Sequence, residues 1–376
     1  MLQKATRRQS KDHNTGLVLR TIYLAGAISR ADIARATTLT RPTVSSIVSH
    51  LMAMKLVAET GLAPSARGKP PTLLEVDKNA WRILCVDLAG RNFRGALVNL
   101  RGELMERDEA PVPEGSGGDA LRGAYELIDR LAALSPAPLL GIGVGTPGLI
   151  DPERGVVREA VNLGWQDVPL RSLLEARYHK PVYLMNDSQA AALAEYAFGE
   201  SRGSPHLLLI KIGRGIGAGI IVNGELFHGD GFGAGEVGQV VVHEGDPPET
   251  LESLASTQAL LRRARAVVGN GLSWGQLVRR VGRGDPDLRA VVSQAGAYLG
   301  LALAHLVAAL DIRNIVISGR VRELGDVFLL AAHESAARRL LPALIEGTRL
   351  TYSALGSDIV LLGCSSSILK HELRIV

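Results

Sequence analysis

Apolar residues recur along this chain with two different periods, and the place where the period changes divides it. In "RPTVSSIVSHLMAM", Val44, Ile47, Val48 and Leu51 fall at i, i+3, i+4 and i+7, the stripe of an amphipathic helix, with Thr40 before it as a cap and Pro42 in its first turn. Upstream, "RADIARA" reads as a shorter helix capped by Ser29, with Asp32 in the first turn where it suits the helix dipole. A third short helix is expected over the run holding Leu17, Val18, Ile22 and Leu24. Only "TTLT" separates the two capped helices, the short turn of a helix-turn-helix. After Leu56 and Val57 a hairpin with the tip "PSARGKPP" completes a winged helix, so residues 1–76 are predicted to form one domain.

From Trp81 onward the pattern changes to strands, glycine turns and helices. "RILCVDLAG" and "FRGALVNLRGEL" read as a strand, a turn and a second strand; a helix follows near 119–134, then a strand "LLGIGVG" and a turn "TPGLID". "PVYLMNDSQAAALAEYAFGE" is a strand running into a helix with Asn186 and Asp187 at the junction. "HLLLIKIGRGIGAGIIVNGELFHG" pairs two strands around a glycine turn, and "IRNIVISGRV" is a late buried strand. Such alternation predicts an α/β body. The longest apolar run, around "AGAYLGLALAHLVAALDI", is interrupted by His305 and preceded by Ser293 and Gln294, which points to a buried helix and not a membrane span.

Charge sharpens the division. Residues 1–70 hold eleven Lys/Arg against three Asp/Glu, a local +8 within a chain whose net charge is +4, so a basic head precedes a mildly acidic body. A basic head implies a polyanionic partner. Arg41, Thr43, Ser45, Ser46 and His50 lie off the buried stripe near the start of the second capped helix, where such motifs reach base edges and phosphates; with Thr40, and with Arg67 and Lys69 on the wing, they are the candidate DNA contacts. Phosphate contacts would supply most of the affinity and make it salt-dependent. The plain alternative is a small interaction domain whose charges are merely solvated. With 46% apolar and 21% charged residues, the 376-residue chain has the composition of a folded protein of two or three domains. Its two cysteines, Cys85 and Cys364, sit in apolar runs as small buried hydrophobes; with no cysteine framework or secretory segment, a cytoplasmic location is expected.

The body then shows a specific resemblance. "VDLAG", "GIGVGTPGLID", "VNLGW", "MNDSQAAALAE", "GRGIGAGIIVNG", "GEVGQ" and "NIVISG" stand in the order and rough spacing of the ROK family of bacterial repressors, open reading frames and sugar kinases, and the winged helix in front is similar to its repressor branch. The resemblance implies an actin-like (ribonuclease H-like) body of two α/β lobes, 77–197 and 198–376, with a sugar in the cleft. Dimerisation helices would lie in the second lobe, with room for the last helix to return to the first. It places sugar contacts on Asn162, Asn186, Asp187, Glu236 and Glu252, with Gln239 able to bond a further hydroxyl. Carboxylates suit that task because they accept charge-assisted bonds from hydroxyls. Each residue also has a plainer role: Asn186 as a helix cap, Asp187 as a dipole partner, Glu236 and Glu252 as solvated charges, His243 as a loop residue.

Three departures concern phosphate. The first turn reads "DLAGRN" with Arg91 where a hydroxyl is expected, the second reads "GRG" with Arg214 in the middle, and a third reads Ser318, Gly319, Arg320. Bare glycine turns let backbone N–H groups reach phosphate, so these side chains oppose ATP binding, although arginines there could instead attract an anion or be ordinary surface charges. A fourth departure concerns zinc. Gln239 replaces a histidine, and "HEGDPPETLE" between Glu236 and Glu252 has no thiol, leaving His243, Glu244 and Asp246 as a poor ligand set; Pro247 and Pro248 could stiffen the loop instead. No metal or cofactor is expected. The expectation is a sugar-responsive transcriptional regulator, first of all a repressor, binding a palindromic operator as a homodimer or higher oligomer with no membrane partner. Two alternatives stay open: an ATP-dependent, glucokinase-like enzyme with an added DNA-binding head, in which Asp187 would be the base, and a regulator governed by a protein partner through a vestigial cleft.

Overall fold

A computed structural model describes residues 7–64 and 70–375. Packing divides the chain into two compact units, one of Met1–Val144, Pro169–Leu184 and Cys364–Val376, the other of Gly145–Val168 and Met185–Gly363.

The first unit begins with helices Arg7–Ala25, Arg30–Thr37 and Arg41–Ala53, followed by strands Val57–Leu62 and Thr72–Val76. Both expected caps form. Ser29 Oγ accepts from the Asp32 amide, and Thr40 Oγ1 accepts from the Thr43 amide, contributions of about 1 kcal/mol each. Val44, Ile47, Val48 and Leu51 are all buried, joined by Val18, Ile22, Ile33 and Leu74. The first helix is longer than expected and buries Leu19 and Tyr23, whereas Leu24 is 57% exposed. Two residues beyond Ile22 on a helix lie on nearly the opposite side, so both cannot face the core. The hairpin gains a third strand, Ile28–Ser29, which pairs with Thr72–Val76. The wing tip with Arg67 and Lys69 lies outside the described residues.

The head rests on the rest of this unit through a few specific contacts. The Arg101 guanidinium lies 4.4 Å from the Tyr23 ring centre and donates to the Tyr23 carbonyl, and Trp81 Nε1 donates to the Met54 carbonyl at 3.2 Å. Behind it stands a five-stranded sheet ordered Val182–Asn186, Leu139–Thr146, Arg82–Asp87, Asn92–Val98, Leu104–Pro111. The run read as one strand after Asn92 is thus two, broken by a turn in which Asn99 Oδ1 accepts from the Arg101 and Glu103 amides. Cys85 and Cys364 are both buried, and burial pushes the Cys85 thiol far up.

The second unit repeats that sheet order with its own strands: Arg349–Tyr352, Asn314–Ser318, His206–Ile212, Ile216–Val222, Glu225–Leu226. In each sheet the first strand in sequence sits centrally, with its hairpin partners on one side and the later strands on the other, the duplicated pattern of an actin-like fold. Helix Asp187–Phe198 lies directly on this second sheet. A Cβ at Gly219 would come 2.4 Å from Ala192 Cβ and 2.7 Å from the Ser188 carbonyl, so only glycine permits that approach. "TPGLID", expected as a turn, holds the short strand Leu149–Asp151, which pairs with Val156–Ala160 and through it with Trp165–Val168. The long apolar run forms helix Pro286–Leu310, a core helix packed on Asp326–Ala337 so closely that a Cβ at Gly300 would lie 2.2 Å from the Ala332 carbonyl.

Candidate functional site

In the head, Arg41, Ser45, Ser46 and His50 are exposed on helix Arg41–Ala53, opposite its buried stripe. Thr40 and Thr43 share a hydroxyl hydrogen bond of 2.8 Å while Thr40 caps the helix, so both hydroxyls help hold the helix start as well as facing outward.

The carboxylates lie in the second unit, and each is placed by a different piece of backbone. Asn186 ends a strand and caps helix Asp187–Phe198: its Oδ1 accepts from the Ser188 amide at 2.8 Å, and its Nδ2 donates to the Gly148 carbonyl at 2.9 Å. The plainer capping role is therefore real, and through it Asn186 fixes Asp187 in the first turn. Glu252 opens the short helix Leu251–Ala255, and its Oε2 accepts from the Ile216 amide at 2.8 Å. Gly235 has φ +100, and a Cβ there would lie 2.1 Å from the Ala218 carbonyl; this tight passage presents Glu236 on the next residue. Glu236 is exposed at the surface, yet the protein atoms around its carboxyl desolvate it in part, and this, then the charges of Asp187 and Glu252, pushes its pKa up. Asp187 and Glu252 thus stand near enough to oppose the ionisation of Glu236. Asn162 is exposed on the turn Val161–Leu163, and Gln239 is exposed at the end of the turn Val237–Gln239.

Sequence reasoning missed one member. Lys211 Nζ lies 2.5 Å from Asp187 Oδ2, with the side chains 20% and 13% exposed. The signal was a lone lysine in the otherwise apolar core of "HLLLIKI", since a half-buried ammonium requires a partner.

The turns that depart from the phosphate pattern behave differently. Arg214 is exposed between Gly213 and Gly215, in a turn held by a Gly213 amide to Gly215 carbonyl bond of 2.8 Å. Arg91 is exposed in the first unit. Arg320 folds back: it pairs with Glu323 at 3.2 Å and lies 5.3 Å from the Trp274 ring, whose Nε1 donates to the same glutamate. The loop that would hold zinc lies in the same unit. Strands Val241–His243 and Glu249–Thr250 pair, the loop between them offers no thiol, and among the described residues no group of three His, Cys, Asp or Glu side chains converges to hold a metal. His243 instead meets Tyr298 edge-on at 6.5 Å. The residues present do not fit a structural zinc.

Duplicated sheets of this order, preceded in the chain by three helices and a β-hairpin, define an actin-like α/β body with a small helix–hairpin module ahead of it. Residues 83–369 match the ROK family, and the chain belongs to it. It is 31% identical to a "Xylose repressor" of Caldicellulosiruptor bescii over 96% of this chain and 97% of that protein. It is 32% identical to a "Glucokinase" of Halalkalibacterium halodurans, over 76% of this chain and 94% of that protein. A crystal structure described as a ROK family transcriptional regulator, a homolog of the Escherichia coli MLC protein, has the same fold, with TM-score 0.85 and 24% identity over 97% of this chain and 98% of its own.

Proposed function

We propose that this chain is a sugar-responsive transcriptional regulator, first of all a repressor, that works in the cytoplasm as a homodimer on a two-fold symmetric operator and does not act as a sugar kinase. The observation that carries this reading is coverage. The likeness to the xylose repressor takes in 96% of the chain, so it must include the winged head, whereas the likeness to the glucokinase leaves about a quarter of the chain unmatched. In this reading Arg41, Thr43, Ser45 and Ser46 with Thr40 read the major groove, and Arg67 and Lys69 contact the backbone from the wing. One half-site per head makes two-fold symmetry in protein and DNA the expected arrangement.

Sugar is held by Asp187, Glu236 and Glu252, oriented by Asn186, with Asn162 and Gln239 adding amide contacts. The altered turns support the absence of phosphoryl transfer, which depends on backbone cradling of nucleotide phosphates and on Mg²⁺ placement. Selection of DNA from a random-sequence pool, followed by a thermal-shift panel of mono- and disaccharides, tests the reading. Enrichment of a palindrome, its release by a sugar that also raises the melting temperature, and weakening of DNA binding by roughly tenfold in Arg41→Ala are expected. Turnover of ATP and a sugar at ordinary kinase rates, or no enriched sequence, would overturn it.

A further inference from the structure

The stretch 257–289 holds seven arginines and two aspartates but neither lysine nor glutamate, inside a body that is otherwise mildly acidic. Five of the seven are committed within the protein. Arg262 donates to the Ser253 carbonyl, Arg263 to the Leu254 carbonyl, Arg265 to the Leu272 carbonyl and Arg289 to the Val281 carbonyl, at distances between 2.8 and 3.3 Å. Arg280 pairs with Asp285 at 2.6 Å. The guanidinium groups of Arg279 and Arg283 make no hydrogen bond or ion pair with any described residue, and both side chains are exposed.

Those two line one cavity of about 430 Å³. It lies past the end of helix Thr257–Val268, where Gly269, at φ +102, turns the chain into Asn270 and Gly271, and its other wall is helix Trp274–Gly282. The backbone amides of Asn270 and Gly271 donate to no described residue, and Gln276, whose Oε1 accepts from the Ser273 amide, keeps its NH₂ for another partner. No aspartate or glutamate lines the cavity. Cations at a helix C-terminus complement its dipole, which is the plain reason for arginine here. That need is already met by Arg289, which donates to the Val281 carbonyl in the last turn. Arg279 and Arg283 stand one turn apart, roughly 5–6 Å between Cβ atoms, so their forks can converge on one anion.

A guanidinium fork matches the oxygens of a carboxylate or a phosphate. A carboxylate has two oxygens to share, whereas a phosphate monoester has three and close to two negative charges near neutrality, enough for two forks and a backbone amide. The phosphate group fills only a small part of the volume, which leaves room for the rest of a small molecule beside Val268 and Leu272. We infer that this cavity is a ligand site for the phosphate group of a small phosphorylated metabolite, held by Arg279 and Arg283 with Gln276 and the Asn270 and Gly271 amides. It is separate from the carboxylate cluster. Helix Thr257–Val268, roughly 18 Å long by its rise per residue, runs from Thr257, whose hydroxyl donates to the Gly213 carbonyl at 2.7 Å, to the rim of the cavity. The site therefore stands whether or not the cluster binds sugar.

The test is calorimetric titration of inorganic phosphate and of phenyl phosphate into the full-length protein at fixed ionic strength; neither probe carries a sugar. Inorganic phosphate is expected to bind with a Kd of about 1 mM, and phenyl phosphate at least as tightly. Arg279→Gln and Arg283→Gln should each weaken both by about fivefold and together by about twentyfold, with the melting temperature unchanged because both positions are exposed. Arg41→Ala, which removes a candidate phosphate contact of the head, should leave both affinities as they are. Absence of phosphate binding below about 10 mM, wild-type affinity in the double variant, or a loss that Arg41→Ala reproduces would overturn the site. Binding of inorganic phosphate without phenyl phosphate would overturn its assignment to a phosphorylated metabolite.

Discussion

The carboxylate cluster and the turn Gly213–Gly215 lie side by side in one unit, yet their side chains suit different chemistry. Glu252 braces both: its Oε2 holds the Ile216 amide, and a Cβ at Gly215 would lie 2.6 Å from that same oxygen. On one side of this brace the acidic groups stand at fixed backbone positions, a cap, a tight glycine passage and a helix start. On the other, exposed Arg214 interrupts the glycine turn, and Arg320 is committed to Glu323 and Trp274. Binding hydroxyls needs fixed acceptors, whereas cradling phosphate needs bare backbone amides, so in the proposed reading one side serves sugar without the other serving phosphate.

The largest effect that would test this contrast is expected at Glu236. Glu236→Ala should weaken sugar binding by about a hundredfold, the loss of two charge-assisted bonds, and abolish the sugar-induced rise in melting temperature while leaving operator affinity without sugar unchanged. Unchanged sugar affinity in that variant would separate the cluster from sugar altogether.

A smaller effect should appear with pH. The folded-state pKa of Glu236 is raised, first by desolvation, so its contribution to the stability of the sugar-free protein is full below the ordinary glutamate range and is lost as pH rises through the raised value. A sugar hydroxyl donates best to the ionised form, so sugar affinity should climb through the same window and level off above it. Calorimetric titration from about pH 5 to pH 8 checks the direction. An affinity that falls as pH rises would contradict it.

The smallest effect belongs to the other side. Arg214→Thr, which restores a hydroxyl to the glycine turn, should change sugar affinity by no more than about twofold, as exposed substitutions usually do, and should not confer ATP turnover while Arg91 and Arg320 remain. Turnover from that single change would show that the phosphate side is one residue from working.

Much of this was legible in the sequence because it depends on local patterns. The caps Ser29 and Thr40, the stripe Val44, Ile47, Val48 and Leu51, and the Asn186–Asp187 junction follow from spacing alone, and the ordered motifs from "VDLAG" to "NIVISG" carried the family. What escaped depends on tertiary placement. Lys211 announces that it needs a partner, but which of 38 acidic residues supplies it is decided by a helix start arriving over Gly217 from another part of the chain. Likewise Arg320 is the exposed charge its sequence suggests, but its place over Trp274, 46 positions earlier, is set by the fold. Leu24 shows the converse, an apolar residue counted toward a core that helical geometry turns away.

The central claim, that occupancy of the carboxylate cluster governs DNA binding, is tested most directly by measuring sugar affinity with and without saturating operator DNA. Coupling between two binding events is reciprocal, so a sugar that releases the operator must bind the operator-bound protein more weakly, by the same factor that it weakens DNA binding. The account predicts such a matched loss, about fivefold or more. Equal sugar affinities in the two states would contradict it.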